Sequence, residues 1–179
     1  MKRSRLIRLI AAGAAGLAIT AVVAASQVPG ATHSEGVRFD GAYSFSVPLG
    51  PGLTFRGLAV VHPDGTSTFS DESDFGGPGG PIGPTLNSPG YGAWTRTGPR
   101  SIRVVWIRFL HDPASGNVTH VLRATAVADF DRSNADAAAG TFTEEVYPCA
   151  GPLGCPEPAT LPAVPPQAAL PFTALRIRP

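Results

Sequence analysis

An all-β fold, an antiparallel up-and-down barrel of about eight strands behind an N-terminal signal helix, is what this sequence predicts, on three observations. The 179 residues include 21 glycines and 19 prolines, which leaves little room for long helices. Apolar residues make up 43% against 15% charged, far from the composition of a disordered chain and sufficient for one packed domain. From Val37 onward the apolar residues recur with period two, between short turn-forming links. Hairpin links make neighbouring strands antiparallel, and closing the sheet removes its exposed edges, which favours a barrel. A β-sandwich is the alternative arrangement of the same strands.

The chain opens on Lys2, Arg3, Arg5 and Arg8, runs without charge from Leu9 to Ala25, and reaches small residues at Ala24-Ala25-Ser26. This is the pattern of a secretory signal peptide over residues 1–26, with an uncleaved N-terminal anchor as the competing reading because the uncharged run approaches a bilayer span. Residues 27–36 read as a disordered linker and 37–179 as the barrel domain. Beyond the leader, 10 arginines face 13 carboxylates, a net charge of −3. Singly scattered arginines in a mildly acidic domain give no footprint for nucleic acid, and membrane contact is expected only through the leader if it is retained. Cys149 and Cys155, six residues apart in an exported chain, are expected to form a disulfide. His33, His62, His111 and His120 lack metal-ligand spacing, so no metal is expected, and no pattern points to a cofactor.

Taken in order, Val37–Val47 alternates apolar and polar residues and ends at Pro48-Leu49-Gly50-Pro51-Gly52. Leu53–His62 follows, and Pro63-Asp64-Gly65 supplies a turn into Thr66–Ser70, with Pro presetting φ and Gly accepting a positive one. Residues 71–89 form a Gly/Pro-rich loop expected to be mobile, whose Asp71, Glu72 and Asp74 read as a solvated charge cluster. Tyr91–Thr97, Ser101–His111 and Val118–Phe130 are the clearest strands. An Ala-rich turn over 131–139 leads to Gly140–Tyr147, and a loop over 148–171 with eight prolines reads as a covering segment. Phe172–Ile177 closes the chain.

Strand parity nominates the interior. Phe55, Gly57 and Ala59 share one face of the second strand, and His120, Leu122 and Ala124 share the apolar face of Val118–Phe130. Small inward residues leave space in an eight-stranded barrel, or fit beneath a neighbour such as Trp106. Adjacent Glu144 and Glu145 must point to opposite faces; one joins Phe142 inside and then needs Arg108 or Arg123 to offset its desolvation. His120, Glu144 and an arginine could also act as acid, base and anchor in a barrel enzyme of the cyclase or isomerase kind. The expected partner is a small apolar molecule; a third possibility is an interaction module using the Pro-rich segment.

The segment Ser88-Pro89-Gly90-Tyr91-Gly92-Ala93-Trp94 carries a Gly-x-Trp element that resembles the one in calycin, or lipocalin-like, barrels. In lipocalins the element lies on the first strand; here it lies near the middle of the chain. The resemblance implies that Gly92 and Trp94 close one barrel end and that Arg176 or Arg178, from the last strand, lies over the indole. The wider pattern, from Leu58-Ala59-Val60-Val61-His62-Pro63-Asp64-Gly65-Thr66 to Phe109-Leu110-His111-Asp112, also resembles a family of uncharacterised exported bacterial proteins.

Overall fold

The computed structural model describes residues 37–75, 85–150, 154–166 and 168–179. The leader and linker, residues 76–84 of the Gly/Pro-rich loop and the mobility expected there lie outside these residues. No helix among the described residues is long and apolar enough to cross a membrane.

Among the described residues, nine strands form one antiparallel sheet: β1 Gly41–Gly50, β2 Leu53–Val61, β3 Thr66–Asp71, β4 Leu86–Asn87, β5 Gly90–Arg96, β6 Ser101–His111, β7 Val118–Phe130, β8 Ala137–Pro148 and β9 Leu170–Arg176. The order β6-β5-β3-β2-β1-β9-β8-β7 returns to β6, so eight strands close a barrel. The two-residue β4 continues the β5 edge, pairing Leu86 with His111 and Asn87 with Leu110. The sandwich alternative fails because β6 pairs with β5 along one edge and β7 along the other.

Local chemistry sets the corners. At the Pro63-Asp64-Gly65 turn, Gly65 takes φ +89° and the Asp64 carboxylate accepts from the Thr66 amide at 2.9 Å. At Gly92, opposite Trp106, a Cβ would stand 1.8 Å from the Val105 carbonyl oxygen; only glycine permits this approach.

Period-two alternation turns Tyr43, Phe45, Val47, Phe69, Ile102, Val104, Trp106 and Phe142 into the barrel, where they form one core cluster. Phe69 joins its rings together, with centroids 5.3 Å from Phe45, 5.1 Å from Trp106 and 6.2 Å from Phe142. Most of the interior is therefore filled by the chain's own aromatic side chains. A second, smaller cluster lies outside the wall, where Leu161 of the Pro-rich segment covers Val121 and Tyr147. The Tyr147 hydroxyl donates to the Pro162 carbonyl at 2.7 Å, and Arg123 donates to the carbonyls of Leu161 and Pro162. Prolines lack amide donors, so this segment is held by its carbonyls and its apolar side chains, as a covering loop.

Residues 37–40 are not part of the first strand. They fold across one end of the barrel, where Phe39 is 2% exposed and meets Phe130 and Trp94 edge-on at 5.1 and 6.0 Å. Burying one more ring there wins over extending β1 by four residues with no partner strand.

Candidate functional site

The two ends of the barrel differ in chemistry. At the end closed by Phe39, the Tyr43 hydroxyl donates to the Phe39 carbonyl at 2.7 Å, and burial pushes the phenol up to about 12, so it remains a donor. The Arg176 guanidinium donates to the carbonyls of Arg38 and Asp40 and lies 4.9 Å from the Tyr43 ring centroid. Arg176 and Tyr43 are register partners on β9 and β1, which is why it stacks there rather than on Trp94. Trp94 instead donates its indole N–H to the His62 carbonyl at 2.7 Å. The neighbouring cation on this strand, Arg96, covers the Phe39 ring at 4.5 Å. Arg178 reaches outward to Asp136.

At the opposite end the interior turns polar. Arg108, 2% exposed, pairs through Nη1 with Asp71 and through Nη2 with Asp74, while its Nε donates to the Ser88 carbonyl at 3.1 Å. Asp74 also accepts from the Ser70 hydroxyl at 2.6 Å, and Asp71 accepts from the Ser73 amide at 2.8 Å. Asn87 then donates to the Ser73 hydroxyl. Buried charge persists here because each ion is paired and further hydrogen-bonded. The expectation of a solvated acidic cluster is thus corrected for Asp71 and Asp74. Asp71 follows Ser67 and Phe69 at period two along β3 and points inward, and the 3-10 turn Glu72–Phe75 brings Asp74 to the same guanidinium. Asp71, Ser73, Asp74 and Asn87 were not among the expected interior residues. The parity of β3 was the available signal for Asp71; nothing local marks the others.

Glu144 stands beside this network. It follows Phe142 by two residues on β8, is half-buried, and receives no hydrogen bond from a described residue. Desolvation pushes its carboxyl up to about 7, with Arg108 opposing the rise and Asp71 adding to it. Of the adjacent pair, Glu144 is thus the inward member and Arg108 its nearby cation. Glu145 faces outward and pairs with Arg123, whose guanidinium also covers the Tyr147 ring.

Between the two ends lies a cavity of about 50 Å³ with no polar surface. Ala59, Ala126, Ala128, Ala138 and Ala174 contribute to its wall, with Phe69, Trp106 and Phe142 among the rings around it. Of the expected interior residues, Ala59, Trp106 and Phe142 therefore meet this space. Leu122 and Ala124 are fully buried in the core, and Phe55 packs against it half-buried. Gly57 gives room to the Phe45 ring, which a Cβ there would meet at 2.3 Å. His120 lies half-buried near the start of β7, its Nδ1 3.0 Å from the Thr119 hydroxyl. It is four residues from Ala124, the register partner of Glu144, which is about 13 Å along the strand. With Arg123 outside the wall, the structure unites only Arg108 and Glu144 of the expected enzyme group.

Cys149 and Cys155 form a disulfide, a bond that fits an oxidising, extracytoplasmic setting. It lies beside the outer cluster of Val121, Tyr147 and Leu161. Compared with known proteins, the chain matches no family, no curated protein and no solved structure.

Proposed function

We propose that this chain is an exported β-barrel protein that takes a small apolar molecule into its interior, as lipocalin-like barrels do. The observation that carries this reading is the apolar cavity inside the barrel. At the roughly 10–15 Å³ that one water needs by this kind of measure, about 50 Å³ has room for a few water-sized groups, and its apolar lining offers none of them a hydrogen bond. Ordinary small-molecule pockets are several times larger, about 300–1,000 Å³, so the guest is slender, or its seating turns one of the rings. Export is supported by the charged leader with its uncharged run, and by the disulfide.

Xenon is the test probe, because it has no polar group and needs no hydrogen bond. Methyl resonances of Ala59, Ala126, Ala128, Ala138 and Ala174 are expected to shift on xenon addition, and Ala126→Leu, which fills the space, to remove the shifts. Alanine methyls that stay unmoved under xenon pressure in a folded sample would overturn the reading.

A further inference from the structure

Beside the cavity stand one buried polar group with no partner among the described residues, the Trp106 indole N–H, and one half-buried carboxylate, Glu144. In the register of the sheet, Trp106 on β6 faces Ala124 on β7, and Ala124 faces Glu144 on β8, so the two groups share one rung with only a methyl side chain between them. Adjacent strands lie about 4.8 Å apart, which puts the backbones of Trp106 and Glu144 roughly 10 Å from each other, with both side chains inside the barrel. Trp106 is 4% exposed and its indole N–H has no acceptor among the described residues. Glu144 has no donor among them. Buried polar groups are nearly always hydrogen-bonded, so the unpaired indole N–H calls for an acceptor, and the half-buried Glu144 carboxylate shares its rung.

The nearby ion network does not supply it. Each nitrogen of Arg108 is committed, to Asp71, to Asp74 or to the Ser88 carbonyl, and both aspartates hold further donors. Trp106 and Phe142 both line the cavity, and Glu144 is the next inward residue after Phe142, about 7 Å further along β8. A guest that outgrows the apolar space in this direction meets the Trp106–Glu144 rung.

On the reading that the cavity takes an apolar guest, we propose that the guest is an alcohol: a slender hydrocarbon body in the alanine-walled cavity and a hydroxyl on the Trp106–Glu144 rung. A hydroxyl is the small group that completes both partners, accepting from the indole N–H and donating to the carboxylate. An ammonium donates but cannot accept, and would leave the indole unpaired. A carboxylate accepts but would face a second carboxyl. A pure hydrocarbon leaves the indole N–H unpaired at the cost of its desolvation.

The test compares 1-butanol with n-pentane, which have equal numbers of heavy atoms, by NMR titration of the alanine methyls at pH 8. The Glu144→Leu and Trp106→Phe variants are each expected to weaken 1-butanol binding about tenfold, while n-pentane changes by less than about twofold. Glu144→Gln, which keeps an acceptor oxygen, is expected to retain most of the 1-butanol affinity. Circular dichroism and the xenon response confirm that each variant keeps its fold and its cavity. A xenon response with 1-butanol affinity indifferent to both substitutions would overturn the alcohol alone. No response to xenon, pentane or butanol in the unaltered protein would overturn the cavity reading and the alcohol with it.

Discussion

The Arg108 guanidinium lies 5.0 Å from the centroid of the Phe69 ring, and the same ring lines the apolar cavity. Phe69 thus stands between the charged end of the barrel and its apolar centre. The cation gains from the ring face as well as from its two carboxylates, and each of its three nitrogens is hydrogen-bonded where the side chain is only 2% exposed.

Removing that cation should be costly. Arg108→Met keeps most of the side-chain volume but leaves Asp71 and Asp74 buried together without a counterion, a loss of about 3–5 kcal/mol. Urea denaturation is the measurement. Adding Asp71→Asn and Asp74→Asn to the same protein should recover part of the loss, because the uncompensated charge is then gone.

Glu144 gives stability a pH dependence of defined sign. Burial raises its carboxyl from the ordinary 4.5 to about 7, so between these values the folded state holds a proton that the unfolded chain has released. The contribution of Glu144 is therefore greatest below about 4.5 and declines as pH rises through about 7. At about 1.4 kcal/mol per unit, the decline is on the order of 3 kcal/mol at most. Unfolding free energies at pH 5 and pH 8 should differ less in Glu144→Gln than in the unaltered protein; equal differences in the two proteins would contradict the assignment.

Gly92→Ala tests the close approach of β5 and β6. The added methyl would fall 1.8 Å from the Val105 carbonyl oxygen, which is backbone and cannot swing aside. The strands must separate locally, and the expected loss is about 2–4 kcal/mol, with hydrogen-exchange protection reduced first along Tyr91–Arg96 and Val104–Ile107. Gly116→Ala is the comparison: it lies in a turn with open space around its Cα, so it brings only the strain of its positive φ.

Much of the fold was legible in the sequence because a strand writes its two faces into alternate residues. The runs at 53–62, 66–70, 101–111 and 118–130 carry that alternation clearly, and Pro63-Asp64-Gly65 marks its own turn. The inward assignment of Ala124 and Phe142 followed from the same parity. Val37–Asp40 has the composition of a strand and became a plug, because whether a segment pairs or folds over depends on whether an edge is free beside it.

Period two determined which side chains enter the barrel, and the two cysteines and the covering prolines were equally plain in the chain. Tertiary structure alone decided what those side chains meet there: that Asp71 and Asp74 share one arginine 34 and more residues away, that Arg176 stacks on Tyr43, and that the packed rings leave about 50 Å³. The reason is physical. Alternation is a local property of the backbone, whereas ion pairing and leftover volume depend on the stagger of eight strands around a closed circuit, a quantity that no single segment contains.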